Sequence, residues 1–120
     1  MQTMPKLQKA PEWIKFPKLV IEKNVLKLEY QLSLTQEQDC SYIIWKREHD
    51  GRILAVSNGK PCRQYRLREA DIGSAIVVEI IPKGRYSISG ECYIEKSKLI
   101  TEDMVDINKI QIWDFQFFPT

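Results

Sequence analysis

The residues with the most obvious chemical capacity are Glu48, His49 and Asp50, an acid, a base and an acid in a row. General acid–base catalysis needs such groups to converge on one reacting atom. Three neighbours in a turn are expected to splay apart into water, so this triplet reads as a solvated turn. Glu102-Asp103 is a second carboxylate pair, and it reads as part of a polar linker. No Gly-x-Ser-x-Gly elbow, phosphate-cradling glycine loop or Asp-x-Asp-x-Asp-Gly calcium run occurs. The cysteines are Cys40, Cys62 and Cys92, with no Cys-x-x-Cys spacing. An odd count leaves at least one thiol unpaired in the chain, and one disulfide stays open as an alternative. With the single His49, no two of these ligands share a local turn, as structural zinc requires. The thiols are expected to be buried or half-buried small hydrophobes. No catalytic residue, metal or cofactor is expected.

Binding chemistry has better candidates. Aromatic rings on an exposed sheet face stack on the apolar faces of sugars, and Trp13, Tyr42, Tyr86 and Tyr93 are the rings available for this. Lys83 and Arg85, beside Tyr86, are cations that could meet an acidic polysaccharide. The C-terminal segment crowds Ile107, Ile110, Ile112, Trp113, Phe115, Phe117 and Phe118 into twelve residues. Burying a large apolar side chain is worth roughly 1.5–3 kcal/mol, so its four aromatics left in water would forfeit on the order of 6–12 kcal/mol. The segment is therefore expected to pack on this domain, on a following domain or on a second chain, with Trp113, Phe115 and Phe117 as contacts. Its apolar alternation changes phase between Ile112 and Trp113, which predicts a bulge or two separate contacts.

The elements that must carry these residues are strands. The chain has 120 residues, 43 % hydrophobic and 28 % charged, which is the composition of one globular domain. The net charge of +2 argues against a dedicated nucleic-acid binder. No apolar run is long enough for membrane insertion, and Met1–Pro11 has no apolar h-region for a secretion signal. That segment reads as a flexible basic arm: the first 27 residues hold six lysines against Glu12 and Glu22. The last thirty hold six acids against three lysines, so arm and tail carry opposite charge.

Helical periodicity is never sustained, whereas period-two alternation recurs between turn signals. Leu26, Leu28, Tyr30, Leu32 and Leu34 alternate with polar residues and predict a strand with one face in the core. Before it, Glu12–Phe16 reads as an edge strand bounded by Pro11 and Pro17, continued by Leu19–Glu22. Ser41–Arg47 places Ile43 and Trp45 on one face and Tyr42 on the other. Asp50-Gly51 and Asn58-Gly59 are hairpin turn signals. Arg52–Ser57, Gln64–Leu67, the doubly apolar Ser74–Ile81, a brief Tyr86–Ser89 and Glu91–Leu99 complete the set. Seven or eight strands in residues 12–100 predict an antiparallel two-sheet sandwich, with an arm over 1–11 and a tail over 101–120. The expected core is Leu26, Leu28, Tyr30, Leu32, Ile43, Trp45, Tyr65, Leu67, Ile72, Ile76, Val78 and Ile80.

Three segments align with a known pattern: Tyr42-Ile43-Ile44-Trp45-Lys46-Arg47 before an Asp-Gly turn, Tyr65-Arg66-Leu67 running into Asp71-Ile72-Gly73, and Ala75–Ile81 followed by Pro82-Lys83. Together they resemble bacterial immunoglobulin-like domains, especially those appended to secreted pectate-lyase-like and surface proteins. The closing Asp114-Phe115-Gln116-Phe117-Phe118-Pro119-Thr120 is similar to the run that follows such domains. Two features depart from the antibody pattern: there is no cysteine pair flanking Trp45, and Ala75 and Val77 follow Gly73 where the tyrosine corner would stand. The resemblance implies an immunoglobulin-like fold without the inter-sheet disulfide, in an extracellular or cell-surface setting. It also implies a non-catalytic accessory role in spacing, docking or weak surface binding, with a neighbouring domain of the same chain as partner. A carbohydrate-binding module and a homophilic, homo-oligomeric interaction domain stand as alternatives.

Overall fold

A computed structural model describes residues 9–34, 38–56 and 62–105. The fold is all-β: two antiparallel sheets of three and four strands. β1 (Trp13–Glu22), β2 (Val25–Leu32) and β5 (Gln64–Arg66) form one sheet in the order β1-β2-β5. β3 (Tyr42–His49), β4 (Arg52–Ala55), β6 (Ala75–Ile81) and β7 (Tyr93–Lys96) form the other in the order β4-β3-β6-β7. This is a two-sheet antiparallel sandwich in which the fourth strand pairs with β3. In antibody constant domains the corresponding strand joins the opposite sheet.

Alternation in β2 puts Leu26, Leu28, Tyr30 and Leu32 inside and leaves Glu29 and Gln31 exposed. They meet Ile43 and Trp45 of β3 and Ile76, Val78 and Ile80 of β6, all essentially without solvent contact. β6 is central in its sheet, between β3 and β7, and its outward-facing Ala75 and Val77 are buried as well. Every residue of the expected core is buried except Ile72, which is half-buried and packs against the cluster from its corner. Ile100 and Val105 join the cluster as well, so the chain stays on the sandwich at least as far as Val105.

Trp45 sits at the centre. Its ring stacks on Tyr65 of the opposite sheet at 5.6 Å, and Nε1 donates to the Cys62 carbonyl at 2.9 Å. The second inter-sheet tie is polar. Asp71, in a 3₁₀ turn over Glu69–Asp71, is fully buried. Its carboxylate accepts from Arg47 Nε on β3 at 2.7 Å, from Tyr65 Oη on β5 at 2.9 Å, and from the Arg68 backbone N–H at 2.9 Å. One carboxylate thus binds both sheets and the corner between them.

The hairpin turns follow local chemistry. Asp50 and Gly51 both take positive φ, 51° and 77°, as a two-residue type I′ turn demands. Asn58-Gly59 lies outside the described residues. Where two pieces were expected around Pro17, β1 is one strand with register shifts between Trp13 and Lys15 and between Lys15 and Lys18. Proline has no N–H to give to the ladder, and the strand absorbs it by bulging. Tyr86–Ser89 forms no strand; the nearby pairing is an isolated bridge between Asp39 and Gly84.

Candidate functional site

The two bulges in β1 decide where its aromatics point. Trp13 and Phe16 both reach the side of β1 that meets β7. There the Trp13 ring lies 5.8 Å from Tyr93 and 6.3 Å from Phe16, and Phe16 lies 5.8 Å from Tyr93. Trp13 also packs edge-on against Tyr30 at 5.4 Å. Trp13 and Tyr93 are half-buried, whereas Phe16 is 62 % exposed. Ile14 on β1 and Ile94 on β7 are both 58 % exposed. The result is an aromatic seam where the edges of the two sheets face one another. Beside it a cleft of about 630 Å³ is lined by Lys15, Phe16, Lys18, Glu29, Tyr30 and Gln31.

The sequence candidates therefore divide. Trp13 and Tyr93 come together. Tyr42 is exposed on the outer face of the four-stranded sheet. Tyr86 is exposed on the loop after β6, with the Arg85 guanidinium 5.3 Å from its ring. Lys83 turns inward: Nζ donates to the carbonyls of Gly84 and Ser87 at 3.1 and 3.0 Å. Trp113, Phe115 and Phe117 lie outside the described residues. Phe16 was missed because simple alternation across Pro17 assigns it no partner; a proline inside an apolar edge strand is the signal that the alternation breaks there.

The rings of the seam are tilted by 34° to 65° against one another. Tilted in this way, they form no flat platform for a sugar ring. The seam has the shape of an apolar contact strip.

The turn at Glu48-His49-Asp50 needs a correction. His49 and Asp50 do not splay apart: His49 Nε2 lies 3.3 Å from an Asp50 carboxylate oxygen. His49 Nδ1 lies 3.2 Å from the Gly73 carbonyl and 3.3 Å from Ser74 Oγ. Serine, histidine and aspartate are thus lined up, but each His49 nitrogen faces an oxygen that only accepts, Asp50 at Nε2 and Gly73 at Nδ1, so Ser74 shares its nitrogen with a carbonyl. Ser74 is also only 2 % exposed. The cluster pins the β3–β4 hairpin to the start of β6.

A second polar node supports the seam from behind. Asp39 accepts from Tyr30 Oη at 2.7 Å, Arg63 Nη2 at 2.8 Å and the Ser41 N–H at 2.9 Å. Burial pushes the Asp39 carboxyl up, but these donors outweigh it and hold it below the usual carboxylate range. Burial, reinforced by Asp39, pushes the Tyr30 phenol up to about 12. The Arg63 guanidinium lies 3.8 Å from the Tyr30 ring centroid. Tyr30 is thereby fixed as the floor on which Trp13 packs.

The outer face of the four-stranded sheet is partly closed by charge. Lys96 of β7 reaches Glu48 of β3 at 2.5 Å across β6, and Lys46 pairs with Glu79 at 2.7 Å. Val77 and Ala75, on this outward side, are nearly buried. The thiols also differ from expectation. All three are free, as a fold without the inter-sheet disulfide requires, but only Cys40 is half-buried while Cys62 and Cys92 are exposed. Their backbones lie in loops flanking strands, where no core position was available. Among the described residues no group of three or more His, Cys, Asp or Glu side chains is gathered for a metal, and no helix is long and apolar enough to cross a membrane.

No protein-family model matches the chain, and no curated protein matches it.

Proposed function

We propose that the domain is a non-catalytic accessory module of an extracellular or surface bacterial protein, one that degrades or handles polysaccharide, and that it works as a rigid spacer with a docking edge. The aromatic seam carries this reading. Trp13, Phe16 and Tyr93 are packed ring against ring at the sandwich edge, with Phe16 left exposed for a protein surface. The buried Asp71 tie supports the spacer part, because it couples both sheets and their corner without a cystine. The bacterial and polysaccharide setting comes from the motif resemblance around Trp45 and Asp71-Ile72-Gly73.

Affinity electrophoresis in gels cast with pectins and other plant polysaccharides tests the reading. The expected result is a mobility equal to that in the plain gel. Retardation that Trp13→Ala or Tyr42→Ala abolishes would replace docking by carbohydrate binding. In the parent protein, the neighbouring domain expressed in tandem with this one should melt higher than it does alone.

A further inference from the structure

The seam has an open flank. β7 pairs with β6 on one side, and among the described residues no strand lies on the other. An uncovered edge with an apolar residue beside it invites the addition of another strand, and folded proteins generally cover or block such edges. Here the exposed residues are Phe16, Ile14 and Ile94. The chain itself leads back to this place. Ile100 exchanges backbone hydrogen bonds with Gly73 and Ser74, which puts it at the start of β6, while Tyr93 pairs with Ile80 near its end. The strip from one end to the other is roughly 20 Å long at ~3.3 Å per residue. Residues 106–118 extended would reach roughly 40 Å, ample to run back along it.

The composition of that segment matches the strip. Residues 107–118 hold seven large apolar side chains, four of them aromatic. Asp106 precedes them and Asp114 lies among them, against the single Lys109, while the strip offers Lys15 and Lys18 beside Phe16. Attachment through Val105, which is packed in the core, starts the segment within reach and gives it a high local concentration that a separate molecule lacks.

We propose that residues 107–118 of this chain dock on its own Trp13–Phe16–Tyr93 seam, along the free edge of β7. The docked segment fixes the direction in which the chain leaves the sandwich. The idea rests on the spacer reading for its purpose and on the seam for its geometry.

The test uses the full chain labelled with 5-fluorotryptophan, so that Trp13, Trp45 and Trp113 each give a fluorine resonance, with Trp113 assigned through Trp113→Phe. A soluble gadolinium chelate reports exposure, and the buried Trp45 is the shielded reference. Trp113 is expected to be shielded nearly as well as Trp45. Phe16→Ser is expected to lower the docked-to-free ratio about tenfold, given the worth of one buried phenylalanine. Ile94→Ser is the second variant, and an unmoved Trp45 line shows that either variant still folds. A Trp113 line as exposed as in the urea-unfolded chain overturns the proposal. So does shielding that is lost on dilution together with a dimer mass by light scattering, which would give the seam to a second copy. A free Trp113 with no retardation in pectin gels removes the docked segment and leaves the spacer reading standing; a docked Trp113 with retardation does the reverse.

Discussion

Two side chains hold the sheets together, and they do it differently. Trp45 contributes area and shape, stacked on Tyr65. Asp71 contributes a fully buried charge that is tolerable only because Arg47, Tyr65 and the Arg68 N–H converge on it. Removing one partner of such a pair strands the other, so Asp71→Ala should lower unfolding free energy by about 3–5 kcal/mol in urea titration. Adding Arg47→Met to that variant should cost less than the two single losses summed, since the two changes remove one shared interaction. Trp45 and the Asp71-Ile72-Gly73 corner were both legible in the sequence, one as a core ring and the other as a turn. The tie itself was not, because it depends on Arg47, which lies on another strand and reads as an ordinary surface cation.

Tyr30 gives the molecule a signature in alkali. The unfolded chain releases this phenolic proton from about pH 10, while the folded chain keeps it to about 12. Between these values the folded state binds more protons, so stability falls as pH rises. The loss should reach about 2–3 kcal/mol by pH 12, and Tyr30→Phe should flatten that limb of the urea-titration profile. Asp39 acts in the opposite sense: its depressed folded pKa supplies stability present above about pH 4, the value for the unfolded chain, and lost as acid protonates it.

Among the elements, β2 was the most legible because four inward residues alternate without interruption. The β3–β4 hairpin was equally plain, since Asp-Gly accepts two positive φ angles in succession. Gly51 needs its conformation and not its space: a methyl group there would meet nothing within 4 Å. Gly51→Ala should therefore cost about 1–2 kcal/mol through backbone strain alone, readable as a lower melting midpoint with the core spectrum unchanged. β1 was the least legible element. Pro17 reads in the sequence as the end of an edge strand, whereas it lies buried inside β1, because a proline marks only that a ladder is broken. The direction of the bulge depends on the Gln31 and Glu29 partners across the sheet. That unreadable detail is what turns Phe16 toward Tyr93 and creates the seam.

At the scale of the whole molecule, fold class followed from strand count and spacing, while the pairing of β4 with β3 did not, because a four-residue strand exposed on both faces carries no inward pattern. The sandwich owes nothing to thiol chemistry. All three cysteines are free, and their loops are not drawn together by any bond. Dithiothreitol should accordingly leave the melting midpoint where it is in calorimetry, whereas a domain relying on an inter-sheet cystine would lose 2–5 kcal/mol, a typical range for native disulfides.

That freedom has a mechanical side. An immunoglobulin domain with a cystine, tugged from both termini, yields only the chain outside the bridged loop. Here no covalent stop exists between Trp13 and Lys96. Once the Asp71 knot and the Trp45 stack give way under load, that stretch can run out to roughly 280 Å at ~3.3 Å per residue. A tether made of such a unit is short and stiff at rest, and it lengthens many-fold before anything attached to it is torn away.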